Sequence, residues 1–235
     1  MADNAIRKSR KVDVIFCIDG TGSMSPCFEH IKKRIKSFPY GILQEMDTML
    51  CSKVEELNFK VITFRNYAAD GDQAMVQSEW FSLMMGDREK FESYLDGINA
   101  EGGGLSQEEN GLEALYYAIT ADWRSTGKND RQIILLITDS DAFALRGSGR
   151  VELPDYPAEM VDMDGLIDLW MGTCPSYMSQ DALKLKQRNK HLYLMAPTGT
   201  KYEEIADKMN HARFMAFNQT EPIDVESFFR WLLWA

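Results

Sequence analysis

Apolar positions along this chain switch repeatedly between a period of two and a period of three to four, which marks alternating strands and helices. Residues 12–18 are apolar apart from Asp13 and read as a buried strand. Phe28, Ile31, Ile35, Phe38 and Ile42 then recur at helical spacing, with Ser25 and Pro26 suiting the helix start and Pro39 with Gly41 expected to kink or stop it. Residues 57–64 predict a second strand, and residues 79–83 a short third one at an edge. A helix over 87–98, the Glu101-Gly102-Gly103-Gly104 loop and a helix over 108–123 come next. Residues 131–138, RQIILLIT, form the continuous apolar run of a strand covered on both faces in a parallel sheet. After an irregular, Gly- and Pro-containing insertion at 144–178, with a short acidic-apolar stretch at 162–171, regularity returns. A helix at 180–189, a strand at 191–196, a helix at 201–210, a strand at 213–217 and a final helix from Asp224 complete the pattern.

Strands alternating with helices predict an α/β fold: a doubly wound, mostly parallel sheet flanked by helices, with ligands beyond the carboxyl ends of the strands. The 235 residues suit a single domain over 1–235, with 1–10 as an N-terminal extension. Lys+Arg 26 against Asp+Glu 36 gives a net charge of −10, which disfavours a nucleic-acid surface and suits cations or a basic partner, although solubility is the commoner reason for acidity. No apolar run approaches a membrane span, and MADNAIRKSRKVDV has basic residues without the apolar stretch of a secretion signal. Cys17, Cys27, Cys51 and Cys174 lack metal or disulfide spacing, so a reduced, cytoplasmic protein is expected.

The chemistry concentrates at the end of the first strand. FCIDGTGSM places Asp19, Thr21 and Ser23 on alternate positions between an apolar run and a helix start, at a tip expected to face solvent. In an extended turn that alternation sends a carboxylate and two hydroxyls to one side, and such hard oxygen donors match Mg²⁺ or Mn²⁺ better than soft metals. A strand end followed by a Ser/Thr helix cap accounts for the same residues without a metal. Ser106 after the glycines and Asp139 after the 131–138 strand belong to the same sheet edge.

With these pieces assembled, the sequence resembles the von Willebrand factor type A (VWA) domain over nearly its whole length. IDGTGSM and LLITDS match two parts of that family's metal-ion-dependent adhesion site, and GGGLSQEENGLEAL resembles the Gly-rich loop and following helix of one subset, as VITFRNYAAD does its second strand. The resemblance implies a Rossmann-like fold in which Thr21, Ser23 and Ser106 supply hydroxyl ligands to Mg²⁺ or Mn²⁺. Asp19 and Asp139 bind directly or through waters, and an open position takes a carboxylate from a protein partner. Leu105 and Gln107 stand where that subset has an acid and a proline, so Glu108 or Glu109 could substitute. Ser140 replaces a frequent glycine, and Asp141 adds a charge that either tightens the site or faces solvent.

The implied function is an intracellular interaction module without chemistry of its own, its oligomeric state open. Two alternatives stand beside it. Haloacid dehalogenase-type phosphatases also end their first strand in Asp-x-Asp-Gly-Thr, but their nucleophilic aspartate falls on Cys17 here. A metal-free scaffold of the same fold is favoured by Leu105. The glycines suggest a phosphate cradle only weakly, since no Gly-Lys-Ser/Thr follows and the neighbours are acidic. His30, His191 and His211 lack ligand spacing and read as structural. Trp170 and Met171, placed by the insertion near the metal edge, are candidates either to grip a partner or to be buried under the loop.

Overall fold

The first strand, β1 (Lys8–Asp19), pairs in parallel with β2 (Ser52–Phe64) on one side and β6 (Arg131–Ile137) on the other. This computed structural model describes residues 8–49, 52–147, 149 and 151–220. Beyond β6 the sheet continues in parallel through β8 (Lys190–Ala196) to β9 (Ala212–Ala216). Two short strands, β3 (Met75–Gln77) and β4 (Phe81–Ser82), pair antiparallel with β2. The order β3-β2-β1-β6-β8-β9 places the reversal of strand order between β1 and β6, and in open sheets of this kind the crevice at that point is where ligands bind.

Period-two alternation divides the core in two. Val12, Val14, Phe16 and Ile18 pack under α1 (Ser25–Met49) and α2 (Arg88–Asp96), while Ile15 and Cys17 face α3 (Gly111–Ile119), α4 (Met163–Met171) and α5 (Lys201–Lys208). On the first face Phe16 meets the edges of Phe38 and Phe59, each with ring centroids 5.2 Å apart. Each fully buried side chain of this size contributes about 1.5–3 kcal/mol.

Several expectations are corrected. Helix α1 runs through Pro39 and Gly41 to Met49, because Phe38 and Ile42 remain on its buried stripe and their packing offsets the hydrogen bond that Pro39 cannot donate. Strand β1 begins at Lys8, so part of the expected N-terminal extension belongs to the sheet, where Lys8 pairs with Ser52 and the register shifts at Arg10/Lys11. Only Phe81–Ser82 of the 79–83 stretch is strand, while Met75–Gln77 had no apolar alternation long enough to announce it. Residues 108 and 109 form β5 (Glu108–Glu109), paired in parallel with β7 (Asp141–Ala142), and α3 starts after them.

No helix spans 180–189: after one turn at Gln180–Ala182 the chain extends, burying Leu183 and Leu185 and exposing Lys184 and Lys186. The buried Gln132 fixes this extended form, donating from Nε2 to Lys184 O (3.1 Å) and accepting at Oε1 from Lys186 N (2.6 Å). The stretch expected to be irregular contains α4 and contributes Leu145, Tyr156, Met160, Val161, Leu166, Leu169 and Trp170 to the core. The helix expected from Asp224 lies outside the described residues.

Candidate metal centre

Strand β1 delivers Asp19 to the carboxyl edge of the sheet, fully buried, and the chain turns there because Gly20 has no side chain: a Cβ on it would lie 2.6 Å from Thr63 Cγ2. Asp19 Oδ1 accepts from Thr21 N (2.9 Å) and Thr21 Oγ1 (2.6 Å), and its Oδ2 accepts from Thr138 Oγ1 (2.6 Å) at the end of β6. Thr21 Oγ1 lies 2.9 Å from Ser23 Oγ, and Ser23 Oγ lies 3.0 Å from Asp139 Oδ1. Four oxygens therefore run in a chain across the strand-order reversal, from Asp19 through Thr21 and Ser23 to Asp139.

Counting protons along that chain tests its fit for a cation. Each hydroxyl carries one hydrogen and an ionised carboxylate carries none. With both carboxylates ionised, two hydrogens serve three oxygen–oxygen contacts, and one pair of oxygens faces each other bare. A hard cation relieves that repulsion, and the donor types suit Mg²⁺ or Mn²⁺. Among the described residues no three His, Cys, Asp or Glu side chains gather as a metal centre by themselves, so a cation held here would rest on two carboxylates with hydroxyls between them.

Burial pushes the Asp19 carboxyl up to about 6, the Asp139 charge adds to the rise, and the hydrogen bonds from Thr138 and Thr21 oppose it. When ionised, this carboxylate is a buried negative charge, the state a cation stabilises.

The glycine loop closes the opposite wall. Gly102, Gly103 and Gly104 all have positive φ, and a Cβ at Gly103 would lie 2.9 Å from Thr21 Cβ and 3.0 Å from Glu109 Oε1. Gly22 N donates to Gly102 O (3.2 Å) and Glu101 N to Gly20 O (2.9 Å), so loop and tip are laced together. Two residues of the VITFRNYAAD segment, neither given a role in the sequence, hold this lacing. Arg65, almost fully buried, donates from Nε to Gly20 O (3.0 Å) and Glu101 O (2.9 Å), from Nη1 to Gln73 O (3.0 Å) and from Nη2 to Asn99 O (2.9 Å). Asp70 accepts from Gly103 N, at 3.0 Å to Oδ2.

A cleft of about 590 Å³ opens between these walls, lined by Thr21, Ser23, Ser106, Glu109 and Asp139 among others. Four of the five expected ligands thus line one cleft, and Asp19 lies beneath Thr21 at its floor. Ser106 is exposed and its hydroxyl is turned onto the Glu108 backbone, donating to O (3.0 Å) and accepting from N (3.1 Å). Of the two acids considered as substitutes, Glu109 lies beside Gly103, where a Cβ would meet both it and Thr21, whereas Glu108 pairs with Lys201 Nζ (2.9 Å). Asp141 serves that same lysine (3.1 Å to Nζ) and accepts from Lys201 N (2.9 Å) at the start of α5, so its charge is engaged in protein contacts.

Gln219 also reaches this edge of the sheet. Its Nε2 donates to Ser23 O (2.9 Å) and to Asp139 Oδ2, and no periodicity or motif marks it in the sequence.

Trp170 is placed elsewhere than expected. It is fully buried, donates to Asn210 O (2.8 Å) and lies 4.4 Å from Lys190 Nζ, at the start of β8 and hence at the end of the sheet away from the cleft. Burial there follows from α4, whose Leu166 and Leu169 pack on the same core. The half-exposed Met171 sits beside it. Cys17 is fully buried facing α3, with its Sγ 3.7 Å from Ala114 O, and burial pushes its thiol far above the ordinary range. His191 is buried and His30 exposed, where it accepts from Arg34 Nε (3.3 Å).

Comparison with known proteins agrees with this architecture. The family model of the von Willebrand factor type A domain matches residues 13–158. Among solved structures, proximal thread matrix protein 1 from the mussel byssus superposes with a TM-score of 0.51 at 11% identity, covering 97% of this chain and 48% of that one. The pilus adhesin SpaC from Lactobacillus rhamnosus GG gives 0.50 at 13% identity, covering 96% of this chain and 30% of that one. The chain spans less than half the length of either, and at these identities the likeness is one of fold. No curated protein matches the sequence.

Proposed function

Because this chain belongs to the von Willebrand factor type A domain family, whose members are protein-interaction modules, we propose that it seats Mg²⁺ or Mn²⁺ at the β1/β6 edge and captures an acidic side chain of a protein partner through that ion. The observation that carries this reading is the oxygen chain from Asp19 to Asp139, which has fewer protons than contacts. Thr21 and Ser23 would hold the ion, Ser106 would join after turning from Glu108, and Asp19 with Asp139 would supply the negative charge. Bound there, the ion acts as a Lewis-acidic bridge to a carboxylate. The cleft between the glycine loop and Pro197 gives that carboxylate its approach.

A binding role without catalysis agrees with Cys17. At the position where an aspartyl-phosphate mechanism needs its nucleophile, the chain carries a thiol buried away from the cleft. Free thiols at Cys17, Cys27 and Cys174 suit a reducing, cytoplasmic setting, and among the described residues no helix is long and apolar enough to cross a membrane.

The test is capture of the partner by immobilised protein from a lysate of the native cells. Retention with Mn²⁺, release by EDTA or by excess glutamate, and loss in Asp19→Ala are expected. Retention indifferent to chelator would assign the interaction to another surface.

A further inference from the structure

We propose that Gln219 is a positioning residue of the metal seat, fixing the Asp139 carboxylate so that Oδ1 faces Ser23; this rests on the metal reading above. Asp139 stands on a half-exposed tip after β6, where a free carboxylate would rotate among several orientations. Ser23 Oγ (3.0 Å) and Ser140 Oγ (3.1 Å) take Oδ1 only. Gln219 Nε2 takes Oδ2, the oxygen that Ser23 Oγ and Ser140 Oγ do not use, and so orients the group without occupying Oδ1.

The two hydrogens of that one NH₂ group are both used. One goes to Asp139 and the other to Ser23 O, where the chain enters α1. A single side chain thereby locks together the β6 tip and the β1 tip, the two segments that must keep their spacing for one ion to touch both. Gln219 lies 196 positions from Ser23 and 80 from Asp139, so the link exists only in the folded chain. Groups that orient a ligating carboxylate typically change metal affinity by about 10- to 100-fold when removed. An amide suits the position because it donates to a carboxylate without adding the positive charge that would compete with a cation.

The experiment is Mn²⁺ titration calorimetry on wild type and Gln219→Met, which keeps the side-chain length and removes the donors, with thermal midpoints of both metal-free proteins. The metal-free wild type and Asp139→Asn are compared by NMR at the Gln219 side-chain amide. Expected are Mn²⁺ binding about tenfold weaker in Gln219→Met, an unchanged metal-free midpoint, and a displaced Gln219 amide signal in Asp139→Asn. Equal affinities in wild type and Gln219→Met overturn the positioning role and leave the metal reading standing. A weaker affinity accompanied by a matching fall in the metal-free midpoint overturns it as well, since that reports general loosening. Wild type that takes up no Mn²⁺ removes both, and so separates failure of the metal reading from failure of the role given to Gln219.

Discussion

Thr138 donates its hydroxyl to Asp19 Oδ2 at 2.6 Å, joining the ends of β1 and β6 across 119 positions of sequence. Asp19 is fully buried, so its two oxygens depend on protein donors, and among the described residues Thr138 supplies the hydrogen to Oδ2. Thr138→Val keeps the shape and removes that hydrogen. The metal-free protein is expected to lose about 1–3 kcal/mol for the buried oxygen left unpaired. Mn²⁺ affinity should fall about tenfold as Asp19 loses its orientation. Thr138→Ser should restore both, and calorimetric titration with a denaturant curve checks them together.

Arg65 should govern the integrity of the cleft wall. Its guanidinium reaches four carbonyls on three separate segments, a fork that an ammonium does not reproduce. Both Arg65→Met and Arg65→Lys are expected to destabilise the chain by about 2–4 kcal/mol, since buried carbonyls lose charged donors. Amide exchange at Gly22 and Glu101 should rise more than in β6, which native-state hydrogen exchange reads residue by residue.

His191 sets the expected response to acid. It is buried beside His211, and its acid constant is held down to about 3, by burial first and then by the Arg131 and His211 charges. Between the ordinary histidine value near 6.5 and that lower value, the unfolded chain binds a proton that the folded chain refuses. The stabilisation is therefore present above pH 6.5 and is lost as the pH falls toward 3. Asp19, raised to about 6, acts in the opposite sense between about 4 and 6, because there the folded chain takes the proton first. Comparing wild type with His191→Gln cancels the Asp19 contribution. The wild type should lose about 1.5 kcal/mol more than the variant between pH 6.5 and 5; parallel stability curves would show that His191 is not held neutral.

Phosphate ester hydrolysis is expected to stay at background. The assay is p-nitrophenyl phosphate turnover with Mg²⁺ in wild type, Cys17→Asp and Asp19→Asn. Wild-type turnover that disappears in Asp19→Asn would replace the binding reading with an enzymatic one. Native Cys17 should also resist alkylation, as burial disfavours its thiolate.

The five parallel strands of the sheet and the chemistry of the β1 tip were legible because their signals are local. An apolar run ending in Asp19, Thr21 and Ser23 states the burial of the strand and gathers its oxygens at one tip, but that tip does not face solvent as expected, since the glycine loop and β6 cover Asp19 and Thr21. The Asp139 tip was legible for the same reason. What escaped was carried by long-range partners. Residues 180–189 have a composition that a helix accepts, and only the buried amide of Gln132, about fifty positions away, fixes their extended form. Pro39 argues locally against a helix that Phe38 and Ile42 sustain by packing. Residues 162–171 read as an acidic-apolar stretch and fold as α4, because the core beneath α3 needed covering. At the site, Arg65 lies in the VITFRNYAAD segment without a role of its own there and Gln219 lies in no motif, and their importance comes from the carbonyls and the carboxylate that the fold brings to them.

The central claim is that the Asp19–Thr21–Ser23–Asp139 chain is a cation seat, and Mn²⁺ titration calorimetry of chelator-treated protein tests it most directly. Wild type should bind one ion per chain, and Asp19→Asn, which keeps size and removes charge, should lose that binding while retaining its fold. Saturating Mn²⁺ should raise the wild-type thermal midpoint, since a ligand held only by the folded state stabilises it by about 2.7 kcal/mol at a hundredfold excess over its dissociation constant. Wild type that neither takes up Mn²⁺ nor changes its midpoint, or Asp19→Asn that binds as wild type does, would contradict the account and leave a scaffold of this fold without a metal.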